Sequence, residues 1–201
     1  MSVFLERPAS SRSISMRRPF LGIGINDADY VTKFFVDGEK FVCPYYTRWQ
    51  SMMHRCYSPK KETRYPTYDG CSVCDEWLSF SVFKAWMKRQ DWDGMELDKD
   101  IMVKGNKVYS PETCLFIPRD LNGLLNSGRA ARGDYPRGVS FVKRDNKFRA
   151  QMKQDGKPTH LGIFNTKEEA GKAYIKAKNK EINRKAIMYP QWSDYIVAHQ
   201  L

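Results

Sequence analysis

One short stretch of the chain alternates apolar side chains with side chains that can bind nucleic acid. Between 147 and 153, Arg149, Gln151 and Lys153 alternate with three apolar residues, Phe148, Ala150 and Met152. Successive side chains of a strand point to opposite faces, so the apolar set is predicted to pack on a core while the polar set faces solvent. Arg and Lys bind guanine edges or phosphates, and Gln binds adenine. The stretch predicts a DNA-contacting strand; for any one of the three, a merely solvated strand face is the alternative.

A second stretch carries thiols at metal-ligand spacing. Cys71-x-x-Cys74 forms half of a possible tetrahedral zinc site. The other half would have to come from single residues elsewhere in the chain: Cys43, His54, Cys56 and Cys114. No second CxxC exists, so buried free thiols are the favoured interpretation and zinc is not expected. Five cysteines, an odd number, also fit reduced thiols in a cytoplasmic protein better than a disulfide framework.

The elements that must position the basic strand can be predicted from turns and caps. Strands are expected near 136–144, 147–155 and 158–164, separated by Asp145-Asn146 and Asp155-Gly156. A helix follows, beginning at Thr166 with a capping box that Glu169 completes. Its inward residues are small or aromatic: Ala170, Ala173, Tyr174 and Ala177. We therefore predict a three-stranded antiparallel sheet packed on one helix.

The upstream half is predicted to contain two hairpins and three helices. The hairpins centre on Asp37-Gly38, between strands 29–35 and 40–46, and on Gly105-Asn106, within 96–117. The helices begin near Thr47, Asp75 and Pro118. The second hairpin and the helix after it give a ββα order. The whole chain is expected to be α+β.

The net positive charge of the chain indicates a polyanionic partner, and the composition indicates where its modules begin and end. It carries 34 Lys and Arg against 23 Asp and Glu, a net charge of +11, and residues 127–182 hold 14 of the former and 6 of the latter. Such an excess favours a polyanion. No apolar segment reaches the roughly 18 residues that a membrane span needs, so no membrane association is expected. The predicted ranges are a disordered basic tail (1–19), a first module (20–126), a linker (127–134), a second module (135–183) and a C-terminal tail (184–201).

The second module resembles the APETALA/ethylene-response-factor type DNA-binding domain. The resemblance rests on RGV at 137–139, on KFRA at 147–150 and on LGIFNTKEEAGKAY at 161–174. In that family a three-stranded sheet lies in the DNA major groove and a helix backs it. The resemblance implies DNA contacts from five positions: Arg137, Arg144, Gln151, Lys153 and His160. Ser140 and Val142 stand where the family carries arginines, so its GC-rich target is not carried over.

The first module resembles bacteriophage-encoded HNH homing endonucleases. YTRWQSMMHRCY, CSVCDEWLSFSVFKAW and LDKDI…KVYSPETCLFIP carry the resemblance, over about 45–126. Those enzymes use a ββα-metal fold in which a strand histidine activates water and a divalent ion stabilises the leaving oxygen. The expected histidine is absent here: LDKDI holds Lys99 and Asp100 at its place. The resemblance leaves Asp98, Asp100 and Asn122 as candidate catalytic residues, with the two aspartates as Mg²⁺ ligands. The alternative is that both are plain strand residues.

These observations leave two main hypotheses for function. The first is a phage-type double-stranded-DNA-binding protein of the HNH homing-endonuclease lineage that acts as a metal-dependent nickase or endonuclease. The second is a catalytically inactive regulator or host-directed factor on the same scaffold, with a host or phage protein as a further partner. RNA binding is a third interpretation, although the paired exposed aromatics that favour single-strand stacking are missing from the predicted strands.

Overall fold

The computed structural model describes residues 4–125 and 134–201. The chain folds as two compact units, Met1–Phe116 and Ile117–Leu201. Both helices and strands are present, which confirms the α+β class. The predicted linker lies outside the described residues except for Asp134, and the division between the units falls earlier, after Phe116. None of the described helices is long and apolar enough to span a bilayer.

The first unit is built on two helices that share an aromatic core. Its elements are α1 (Ser11–Ser15), β1 (Lys33–Val36), β2 (Glu39–Val42), α2 (Pro44–Tyr57), α3 (Lys61–Arg64), β3 (Ser72–Val73), α4 (Phe80–Met87), β4 (Met95–Asp98) and β5 (Val108–Tyr109). Trp49, Met52 and Met53 of α2 are fully buried with Phe80, Phe83 and Met87 of α4. The apolar spacing that predicts these helices therefore marks their packed faces.

The first hairpin forms where the Asp37-Gly38 pair predicts it. Val36 pairs with Glu39, which leaves Asp37 and Gly38 as the two turn residues, both at positive φ (49° and 80°). This is the geometry that a two-residue turn between twisted strands requires. The second strand is shorter than predicted, because Pro44 starts α2 directly after Cys43.

The second hairpin is not formed around Gly105-Asn106. β5 pairs in parallel with β3, and β4 pairs instead with β6 (Leu115–Pro118), the strand at which the division falls. The side chain of Asn106 explains the difference: it donates to the carbonyls of Lys99 and Val108 and accepts from the Val108 amide. These bonds hold 99–108 as a loop rather than a ladder.

Part of the N-terminal segment that is predicted to be disordered forms hydrogen bonds in the structure. Residues 7–9 hydrogen bond to the 29–31 segment through Ala9 N–Asp29 O and Val31 N–Arg7 O, both 2.9 Å. The Arg17 guanidinium donates to three backbone carbonyls, those of Asn26, Ala28 and Tyr30. Arg17 thus satisfies backbone acceptors that are at least partly buried.

The second unit is a three-stranded antiparallel sheet covered by one long helix. It contains α5 (Arg119–Leu125), β7 (Val139–Val142), β8 (Lys147–Gln154), β9 (Lys157–Phe164), α6 (Lys167–Met188) and α7 (Ser193–Val197). The strand order is β7-β8-β9, so β8 is central. Thr166 and Glu169 form the predicted capping box. α6 extends five residues past 183, into the predicted C-terminal tail, and α7 packs on it.

Candidate nucleic-acid interface

The central strand of the second unit separates apolar from polar side chains. On the side of the sheet that faces α6, Ala150 is fully buried, Met152 is 9 % exposed and Phe148 is half-buried. Lys147, Arg149, Gln151 and Lys153 are all exposed on the opposite side. The alternation predicted for this strand is therefore present, and α6 covers only its apolar side.

Cross-strand pairing adds residues of β9 to the polar side of β8. His160 pairs directly with Gln151, and Ile163 pairs with Arg149. Directly paired residues share a face of an antiparallel sheet, and both His160 and Ile163 are exposed. We call six residues of this side the outer face of the sheet: Lys147, Arg149, Gln151, Lys153, His160 and Ile163.

An irregularity in the pairing decides which residues of β9 belong to the outer face. The register shifts between Ala150 and Gln151, which pair with Gly162 and His160, so Leu161 is an extra residue in β9. A simple alternation from His160 would expose positions 162 and 164. The extra residue reverses the parity, and Ile163 reaches the outer face instead. Sequence reasoning missed Ile163 for this reason; it missed Lys147 although strict alternation along β8 points to it.

A glycine fixes the strand at the same irregularity. The carbonyl of Gly138 accepts the Gln151 amide at 2.8 Å, and Gly138 has a φ of +73°. A Cβ added at this position would overlap the Tyr174 ring and lie 2.5 Å from the Gln151 carbonyl oxygen. Only glycine permits this close approach. The glycine of the RGV motif thus holds Gln151 in place on β8.

Two of the predicted DNA contacts lie away from the outer face. Arg144 belongs to a 3₁₀ turn after β7, where its guanidinium forms two hydrogen bonds to the Asp145 carboxylate, at 2.7 and 3.2 Å. These bonds raise the pKa of Arg144. Arg137 is half-buried just before β7, and its guanidinium donates to the Gly123 carbonyl of α5 at 3.5 Å. The structure therefore groups four of the six predicted residues, Arg149, Gln151, Lys153 and His160.

The first strand of the sheet supplies no cation next to Arg149. Ser140 pairs with Arg149, and Val142 pairs with Lys147. The Ser140 hydroxyl is buried and lacks a hydrogen-bond partner among the described residues. The row across the three strands is therefore Ser140, Arg149 and Ile163, with one charge at its centre.

A network of charged side chains holds the turn between β8 and β9. Asp155 starts that turn at a φ of +48°, and its carboxylate accepts from Lys185 at 2.8 Å and from Arg184 at 2.6 and 2.8 Å. The Lys185 ammonium, only 4 % exposed, also binds Asp120 of α5. Burial alone would lower the pKa of Lys185, but the hydrogen bonds to Asp120 and Asp155 outweigh it and raise the pKa. Hydrogen bonds from Lys185 and Arg184 lower the pKa of Asp155.

The aspartates of LDKDI are engaged in holding their own loop. Asp98 Oδ1 accepts the amides of Asp100 and Ile101 at 2.7 and 2.8 Å. Asp100 Oδ1 binds the Lys99 ammonium at 2.7 Å, and that ammonium also donates to the Asn106 carbonyl. Burial raises the pKa of Asp98 more than the two amides lower it. Asp98 therefore acts as a cap at the end of β4, with a carboxyl that takes up a proton more readily than an exposed one.

The predicted metal ligands lie in this loop and in α5. Asp98 and Asp100 each use Oδ1 within the loop, and Asn122 belongs to α5. Among the described residues, no group of three or more His, Cys, Asp or Glu is placed to hold a metal ion. We derive no step through a metal ion, and the Mg²⁺ assignment stays a prediction.

The thiols of the CxxC motif flank a short strand. Cys71 is 5 % exposed, Cys74 is half-buried, and β3 lies between them. Burial raises the pKa of Cys74 to about 11. The Cys74 amide donates to the Tyr109 carbonyl in the β3–β5 pair, so the motif contributes a backbone hydrogen bond that joins these two strands.

Comparison of the chain with protein-family models, with curated proteins and with solved structures finds no match.

Proposed function

We propose that this chain binds double-stranded DNA through the outer face of the β7-β8-β9 sheet. The observation that carries the proposal is the grouping of Lys147, Arg149 and Lys153 with Gln151 and His160 on one uncovered side of the sheet. The other side is occupied by α6, so the polar side is the one available to a ligand. This function agrees with the expectation from the APETALA/ethylene-response-factor resemblance.

The dimensions of the sheet support a duplex as the ligand. Neighbouring strands lie about 4.8 Å apart, so the outer strands of a three-stranded sheet are separated by about 10 Å. The major groove of B-DNA is about 12 Å wide. Along β8, alternate residues such as Arg149 and Gln151 are separated by about 6.8 Å, which corresponds to about two base-pair steps. Hydrogen-bond donors at this spacing along β8 match the spacing of the edges of stacked base pairs.

The test is to remove the polar side chains of β8 and measure duplex binding at several salt concentrations. Replacing Arg149, Gln151 and Lys153 by Ala is expected to weaken binding of a random-sequence 20-bp duplex by at least about tenfold, since each base-edge contact contributes on the order of 1–3 kcal/mol. The slope of log K against log salt should decrease by about two, because two cations are lost. Fluorescence anisotropy measures both quantities.

A matched control separates this surface from net charge. Lys172 and Lys176 are exposed on α6, which covers the opposite side of the sheet. Replacing these two by Ala removes the same number of charges and should change duplex affinity far less. Equal effects of the two variants would show that binding depends on net charge alone. Stronger binding of double-stranded RNA of the same sequence would favour the RNA interpretation.

A second candidate function is DNA cleavage by the first unit, as expected for the HNH homing-endonuclease lineage. The raised pKa of Asp98 favours it, because a carboxylate of higher pKa is a better general base. The engagement of Asp98 and Asp100 within their loop favours the alternative, an inactive DNA-binding regulator or host-directed factor.

Supercoiled plasmid incubated with Mg²⁺ or Mn²⁺ distinguishes the two. Nicking that is lost in Asp98→Asn and Asp100→Asn supports cleavage at this loop. Nicking that persists in both variants rejects these residues as the site, and the absence of nicking with either metal supports the regulator.

A further inference from the structure

We propose that the outer face of the sheet recognises a thymine next to a guanine, with Ile163 as the residue that contacts the thymine methyl group. The inference rests on the proposed DNA-binding function and adds the class of sequence that the sheet selects. It arises from an apolar side chain placed among the polar ones.

Ile163 is an apolar side chain exposed on the outer face of the sheet. Its side chain is 48 % exposed, on the side of the sheet opposite to α6. The neighbouring apolar residues of β9 are at least partly covered: Leu161, Gly162 and Phe164 are all half-buried. A single exposed apolar residue is ordinary on a protein surface. Ile163 differs because the extra residue Leu161 turns it onto the face that carries the DNA-binding side chains.

The neighbours of Ile163 define what the site would accept. Ile163 pairs with Arg149 across the two strands, so the isoleucine and the guanidinium stem lie about 5 Å apart at Cβ. In the major groove, Arg binds O6 and N7 of guanine, and only thymine presents a methyl group that an apolar side chain can cover. A row with Arg at its centre and Ile beside it therefore matches guanine and thymine at adjacent positions.

On the other side of Arg149, β7 adds no second guanine-binding side chain to this row. Ser140 pairs with Arg149 on β7 and brings no charge, and its hydroxyl is buried. The next row holds Gln151 and His160, whose groups suit adenine or a phosphate. The row of Arg149 thus presents one guanine-binding side chain beside Ile163, and the next row holds groups that suit adenine; Lys147 and Lys153 lie in other rows of the sheet.

The experiment uses removal of the thymine methyl as its probe. Duplexes selected from a random 20-bp library by the full-length protein are resynthesised with deoxyuridine in place of thymidine at each position in turn. At the contacted position, loss of the methyl should weaken binding about fourfold, the effect of removing one methyl-sized group from an apolar contact. Ile163→Ala should weaken binding of the thymidine duplex and leave that of the deoxyuridine duplex unchanged.

The control variant is Ile175→Ala, which removes an exposed isoleucine from another surface. Ile175 has a similar exposure, 42 %, but lies on α6, so Ile175→Ala should retain the full methyl effect. Selected duplexes that bind tightly with no methyl-sensitive position, or a methyl effect that persists in Ile163→Ala, would overturn this inference and leave the proposed DNA binding intact. Failure of the protein to enrich or bind any duplex would overturn the proposed function itself.

Discussion

Replacing Gly138 by alanine tests the claim that a close backbone approach positions the outer face. The residue needs a φ of +73°, which costs a residue with a Cβ about 1–2 kcal/mol. The new Cβ would also overlap the Tyr174 ring and lie 2.5 Å from the Gln151 carbonyl oxygen. Overpacking of this kind costs a further 1–3 kcal/mol or so. We therefore expect Gly138→Ala to destabilise the second unit by about 2–5 kcal/mol.

Gly156 provides the matched control for the backbone term. It has a φ of +79°, and a Cβ added there meets no atom within 4 Å. Gly156→Ala should therefore cost only about 1–2 kcal/mol. The difference between the two variants isolates the steric term. For a unit of this size, the steric term places the melting temperature of Gly138→Ala roughly 4–20 °C below that of Gly156→Ala.

Amide hydrogen exchange of the whole chain measures the stability of the second unit in both variants. Peptides that cover β7, β8 and β9 report the free energy of opening of the sheet separately from that of the first unit. Tyr174→Leu should recover part of the cost in Gly138→Ala, because it relieves the ring overlap but not the approach to the Gln151 carbonyl. If Gly138→Ala is no more destabilising than Gly156→Ala, the close approach has no energetic role and the reasoning fails.

Two further predictions follow from shifted carboxyl pKa values. Because the folded-state pKa of Asp155 is lowered, its contribution to stability is complete above the unfolded pKa of about 3.9 and is lost as the pH falls through the folded value. Acid unfolding of wild type and Asp155→Asn should therefore converge at low pH. The pKa of Asp98 is raised, so its contribution has the opposite sign: it is present below the unfolded pKa and is lost as the pH rises through the folded value. Asp98→Asn, which keeps an acceptor for the two amides, should match or exceed wild-type stability at pH 7, whereas Asp98→Ala should lose about 1 kcal/mol.

Outcomes that contradict these predictions are equally specific. A constant difference between wild type and Asp155→Asn down to the lowest pH would mean that ionisation of Asp155 is not its source, and equal stability of the two at pH 7 would mean that the bonds to Lys185 and Arg184 do not stabilise the fold. Asp98→Asn as unstable as Asp98→Ala would mean that the charge, rather than the acceptor, holds the 98–101 turn. Thermal unfolding followed by circular dichroism measures each case.

Local chemistry explains which parts of this fold the sequence predicts well. Asp37-Gly38 and the Thr166–Glu169 box act through neighbouring backbone groups, so a few residues determine them. The alternation along β8 likewise needs only the strand period. These features give one hairpin turn, one helix start and three members of the candidate interface, Arg149, Gln151 and Lys153; His160 is expected only from the family resemblance.

The remaining features depend on partners that are distant in the sequence or on one-residue shifts. The side chain of Asn106 converts a predicted hairpin into a loop by binding a carbonyl seven residues away. Leu161 changes the parity of β9 through a pairing shift that no periodicity indicates. Arg17 lies in the predicted basic tail, and its three carbonyl partners, 9 to 13 residues further along the chain, are not indicated by any local pattern.

The packing of the N-terminal segment has a consequence for the order in which the protein folds during synthesis. The Ile25 amide donates to the Leu78 carbonyl, Asp27 binds Ser79 and Ser81, and Glu6 pairs with Lys84. Residues 6–27 thus complete these contacts only after α4 has left the ribosome, more than fifty residues later. At about 5–20 residues per second this delay is several seconds. During that interval the segment lacks the hydrogen bonds and the ion pair that hold it in the finished fold.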